Sequence, residues 1–167
     1  MRVPRFVFLI FNFLMSVQLC QKYFLNLLGS RDYSENQLTQ KGLIRKYSQA
    51  DIEAVLILLK EYKYVDDLRL AQNLVQSYTG QKGKIWIIQK LKQKGIETTI
   101  IESVIPAYRI KPSEQAKKAI EQKYSISNWS EFLSIDTKTK NKVIYYLSSR
   151  GFENPFEIIK NWQNSQE

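Results

Sequence analysis

Apolar residues recur at intervals of three and four along nearly the whole chain, and no stretch alternates apolar with polar as a half-buried strand does. The pattern predicts an all-α protein. Tyr23, Phe24, Leu27 and Leu28 make a first stripe, ended by Gly29, a residue that takes the left-handed cap conformation at little cost. Ser34 with Gln37 has the spacing of a capping box and opens a second helix. Ser48 with Asp51 opens a third, with Ile52, Val55, Leu56 and Leu59 on one side. Asp66 caps a helix carrying Leu70, Leu74, Val75 and Tyr78, which Thr79 and Gly80 stop. Helices over 84–94 and 98–106 follow, the latter presenting Ile100, Ile101, Val104 and Ile105. After a break at Lys111 and Pro112, three more are expected near 113–124, 137–150 and 155–162, with Pro155 suited to a first helical turn.

Superimposed on this periodicity is a repeat. A leucine, two variable residues, a basic residue, a glycine and an apolar residue occur as LTQKGL at Leu38, LKQKGI at Leu91 and LSSRGF at Leu147, spaced by 53 and 56 residues. Such a period implies one supersecondary unit used three times, each too small to cover its apolar face alone. The expected architecture is an elongated tandem array of three three-helix modules, at 15–64, 65–110 and 111–167, preceded by an extension at 1–14. Gly42, Gly95 and Gly151 are predicted as the corners where each second helix turns into the third. Lys41, Lys94 and Arg150 then lie at the negative helix ends, where a cation gains about 0.3 to 1 kcal/mol.

Composition narrows the function classes. A chain of 167 residues that is 44% hydrophobic and 25% charged is an ordinary globular composition. The 25 Lys and Arg against 16 Asp and Glu give +9, which favours phosphate-rich or acidic partners. The charge is also unevenly spread. No carboxylate lies between Asp67 and Glu97, where Arg69, Lys82, Lys84, Lys90, Lys92 and Lys94 occur, or between Asp136 and Glu153, where Lys138, Lys140, Lys142 and Arg150 occur. The chain has no histidine and a single cysteine, Cys20, which removes His metal sites, Ser/His and Cys/His nucleophile pairs and an internal disulfide. GQKGK at Gly80 resembles a phosphate loop only superficially, because its glycines are too close and no Ser or Thr follows the lysine. Asp66 and Asp67 read as helix capping rather than metal ligation. Neither an enzyme nor a cofactor is expected.

The chain opens with Arg2, Arg5 and the run FVFLIFNFL at 6–14, which imitates a secretory signal but lacks a small-residue cleavage site and is short of the roughly 20 residues of a membrane span. Three readings stand: a translated leader before a physiological start at Met15, an apolar helix packed on the body, or membrane targeting.

Taken together and in order, LLGSRDYSENQL, YVDDLRLA at Tyr64, KGKIWIIQKLKQKGI at Lys82 and YLSSRGF at Tyr146 resemble the RecX family of RecA regulators over about 16–163. The resemblance implies tandem three-helix modules in a curved body. It also implies a non-enzymatic protein that lodges in the groove of the RecA filament on single-stranded DNA and suppresses its growth, ATP hydrolysis and strand exchange; a reducing cytoplasm fits the single cysteine, and a monomer is expected. Trp86 and Ile88 stand where relatives often have basic residues, Leu70 where phenylalanine is usual, and 1–14 has no counterpart. The alternative is a helical protein that holds single- or double-stranded DNA itself and acts by competition.

On a helical wheel Ile87, Ile88 and Leu91 share the core-facing arc, while Trp86, Lys90 and Lys94 fall opposite. Lys82, Lys84, Trp86, Lys90 and Lys94 are therefore expected to form a contact strip for the filament and its DNA, with Lys138, Lys140 and Lys142 as an auxiliary patch. An outward Trp beside lysines suits an interface anchor or a base-stacking platform, and equally suits packing on a neighbouring module.

Overall fold

The computed structural model describes the backbone of residues 5–107 and 112–161, and their side chains except at 5–13, 107 and 129. Among the described residues there are ten helices and no strand. They are α1 (Arg5–Leu28), α2 (Glu35–Ile44), α3 (Gln49–Glu61), α4 (Asp67–Tyr78), α5 (Lys84–Gln93), α6 (Thr98–Ala107), α7 (Pro112–Tyr124), α8 (Trp129–Ser134), α9 (Thr137–Ser149) and α10 (Pro155–Lys160). The all-α reading of the periodicity holds. The chain divides into two compact units, one of residues 1–70 with 94–96 and the other of 71–93 with 97–167.

In the first unit α1 packs mainly on α3. Phe24, Leu38, Ile52, Val55 and Leu59 are sealed from solvent, each worth roughly 1.5 to 3 kcal/mol on full burial. The capping box at the start of α2 forms in both directions, Gln37 N–H donating to Ser34 Oγ and Ser34 N–H to Gln37 Oε1. Ser48 likewise caps α3 by accepting from Asp51 N–H. Asp51 is itself buried and accepts from Ser16 Oγ at 2.6 Å. Burial, and then the Asp51 charge, push the neighbouring Cys20 thiol up to about 11.

Two features differ from the sequence reading. Helix α1 begins at Arg5 rather than after Met15, because the 5–28 segment contains neither glycine nor proline to interrupt it. Among the described residues no helix is long and apolar enough to cross a membrane. Gly42 is not a corner: it lies inside α2, which continues to Ile44, and the left-handed residue that ends the helix is Lys46, with φ +66°. What Gly42 provides is space, since a Cβ there would stand 2.8 Å from the Ile52 side chain and 3.0 Å from the Phe24 ring.

The second unit has its largest apolar cluster where α7, α9 and α10 meet around Ala116, Ile120, Val143, Leu147, Phe152 and Ile159. Helix α8 was not foreseen. It is one and a half turns long and is held by Asn128, whose Oδ1 accepts from Glu131 N–H at 2.9 Å while Glu131 Oε2 accepts from Ser127 N–H at 2.7 Å. Helix α10 ends at Lys160, and the expected continuation to Trp162 lies outside the described residues.

Candidate functional site

The central feature of the second unit is the way α5 starts. Gly80, with φ +89°, ends α4, and after Gln81, Lys82 and Gly83 the chain enters α5 at Lys84. Helix starts leave N–H groups without intrahelical acceptors. Here Gly83 N–H donates to the Arg150 carbonyl at 2.9 Å and Ile85 N–H to the Gly151 carbonyl at 3.2 Å. The negative end of α9 thus faces the positive end of α5, a head-to-tail arrangement that suits both dipoles. Arg150 Nη1 reaches back to the Gln81 carbonyl at 3.1 Å.

Only glycines permit this approach. A Cβ on Gly83 would run into the Gly151 carbonyl, and one on Gly151, whose φ is +80°, would stand 2.6 Å from Trp86 Cβ. The Gly151 corner therefore fixes the backbone that carries Trp86. Gly95 also takes a left-handed φ, +75°, just beyond α5.

Trp86 is half-buried. Its indole meets the Tyr78 ring edge-on, with centroids 4.7 Å apart, and carries Lys82 Nζ at 4.6 Å and Lys90 Nζ at 5.9 Å from its ring centre. Burial, and then the Arg150 guanidinium, lower the Lys82 pKa below the ordinary lysine value. An aromatic plane flanked by two cations is suited to an acidic or phosphate-bearing partner that also offers an apolar or aromatic contact.

Lys82, Trp86 and Lys90 thus come together. Lys84 is exposed at the first turn of α5 and lines a cleft of about 310 Å³ with Glu153 and Glu157. Lys94 belongs to the first unit, where its backbone carbonyl accepts from the buried Ser34 Oγ. The auxiliary patch splits. Lys138 and Lys142 share a cleft with Tyr145, but Lys140 turns away, donating to the Leu133 carbonyl at 2.9 Å beside the Phe132 ring. Residues two apart on a helix point about 200° apart, so the three could not share a face.

A family model described as RecX, second three-helix domain, matches residues 66–105, the span of α4, α5 and most of α6. The regulatory protein RecX of Vibrio parahaemolyticus serotype O3:K6 is 33% identical over 130 residues, covering 77% of this chain and 80% of the relative. The chain belongs to the RecX family. RecX of Chlorobium phaeobacteroides (strain BS1) is also 33% identical, over 132 residues, with 77% of this chain and 82% of that one covered. A crystal structure of regulatory protein RecX superimposes with a TM-score of 0.74 at 20% identity, covering 96% of this chain and 80% of the other. That of RecX from Lactobacillus salivarius gives 0.71 at 19%, covering 90% and 96%. These structures share the fold.

In this RecX-family chain the site contains residues that sequence reasoning missed. Gly83 supports Trp86 without having been singled out for it, and Tyr78, expected only as a helix-stripe position, packs on its ring; they join Gly151 and Arg150, which the repeated motif had already marked. Tyr145 stands within a carboxylate-free basic interval, a juxtaposition visible in the sequence.

Proposed function

We propose that this chain is a non-enzymatic, cofactor-free regulator that binds the RecA filament on single-stranded DNA and suppresses its growth, ATP hydrolysis and strand exchange. It acts in the cytoplasm, as a monomer built of helical modules at 15–64, 65–110 and 111–167. Membership of a family whose relatives are named regulatory proteins supports the regulatory role. The observation that carries the contact assignment is the pinned Trp86 with Lys82 and Lys90 over its ring. Cations at the rim speed encounter with an acidic polymer, and an indole already held by Tyr78 and the Gly151 corner loses little freedom on binding.

The test is to add purified chain to recombinase already assembled on single-stranded DNA and follow ATP turnover. Turnover is expected to fall at substoichiometric amounts. The double charge reversal Lys84→Glu and Lys90→Glu should abolish that effect while leaving the melting temperature within a few degrees, because both side chains lie at the surface or half-buried on α5. A variant that inhibits as well as the parent would remove α5 from the contact surface.

A further inference from the structure

We infer that the cleft between α7 and α9 is a base-stacking site for single-stranded nucleic acid, with Tyr145 as the platform and Lys123, Lys138 and Lys142 as phosphate partners. This rests on the regulatory reading for its setting, in which the ligand is the strand that the recombinase coats.

The cleft holds about 410 Å³. Helix α9 supplies Lys138, Lys142 and Tyr145 at spacings of four and three, which place them on one face. Tyr146 and Tyr124 make the floor, in edge contact with centroids 5.7 Å apart, and Lys123 Nζ stands 4.4 Å over the Tyr146 ring. The Tyr124 hydroxyl, whose pKa is raised by burial and then by Tyr146, stays protonated and donates to the Lys142 carbonyl at 3.3 Å, tying α7 to α9. The floor is built, yet Tyr145 is left 76% exposed above it.

What sets Tyr145 apart from the other exposed rings is that three lysines line the same cleft. No Asp or Glu occurs among the described residues that line the cleft, so the lysines have no carboxylate there to answer. An acidic protein surface would satisfy the lysines but would engage the ring only by bringing an apolar or aromatic side chain of its own to it. A nucleotide strand satisfies both, since every base offers a π-face and every linkage a charge.

The experiment measures binding of the full chain, without recombinase, to a labelled oligothymidylate and to an abasic strand of equal length. The parent should prefer the oligothymidylate. Tyr145→Ala should lower that affinity by roughly 5- to 150-fold, to the level of the abasic strand, with abasic binding unchanged. Lys138→Gln with Lys142→Gln should weaken both and flatten the salt dependence by about 1.4 in log–log slope. Equal affinity of the parent for the two strands, an unchanged Tyr145→Ala variant, or equal competition by polyglutamate would overturn the assignment, the last giving the cleft to an acidic protein. The turnover assay separates the two proposals. Inhibition without base-dependent binding discards only the stacking site, and base-dependent binding without inhibition discards only the regulatory role.

Discussion

A single missing methyl group decides two different things in this protein. At Gly83 any side chain would occupy the space of the Gly151 carbonyl, which is backbone and cannot rotate away. At Gly42 a methyl would press on Ile52 Cδ1 and Cγ1 and on the Phe24 ring, side chains sealed in the core, an overlap offset in part by the roughly 1 kcal/mol that alanine gains over glycine inside a helix. Gly83→Ala is therefore expected to lower stability by about 1 to 3 kcal/mol, as overpacking does, and Gly42→Ala to lose about 1 kcal/mol less, its helix propensity offsetting part of the same kind of cost. Urea midpoints at unchanged slope would show the contrast, and equal losses would refute it. The repeated motif led to Gly42 as a turn because residue identity repeats more faithfully than backbone conformation; Lys46, which does turn, carries no glycine signal.

Helix ends form a second level of regularity. Lys46, Lys63, Gly80, Gly95, Ser125 and Gly151 each take a positive φ just beyond α2, α3, α4, α5, α7 and α9. A left-handed conformation costs an L-residue roughly 1 to 2 kcal/mol, less the freedom that glycine loses on folding. Lys63, with φ +60°, is exposed, and its N–H and carbonyl bond to the Lys60 carbonyl and Arg69 Nη2, contacts that a substitution of the side chain leaves in place. Lys63→Gly should therefore stabilise the protein by up to about 1 kcal/mol, seen as a higher melting temperature, and a lower one would contradict the assignment. At this level the sequence was largely legible, because capping is local: Ser34 to Gln37 and Ser48 to Asp51 declare themselves within four residues. Helix α8, at 6 residues, is too short to show a period, and the pairing of Gly83 with Gly151 joins segments that no local pattern connects. The auxiliary lysines misled by density, since charge along a sequence counts residues whereas a helix sorts them by angle.

For the molecule as a whole the net charge of +9 acts over about a Debye length, roughly 10 Å at 0.1 M salt. In the proposed association with a nucleoprotein filament, raising salt from about 50 to 200 mM should slow the on-rate many-fold while the off-rate, governed by contact at Trp86, changes less. Time-resolved binding at two salt concentrations would decide, and a salt-independent on-rate would count against electrostatic steering. The head-to-tail seating of α5 on α9 also bears on how the chain is made. Gln81 and Arg150 are 69 residues apart in sequence, so the amino end of α5 leaves the ribosome long before the carbonyls that complete it. At synthesis rates of about 5 to 20 residues per second that interval lasts several seconds, during which Trp86 is unsupported by its corner and open to chaperones.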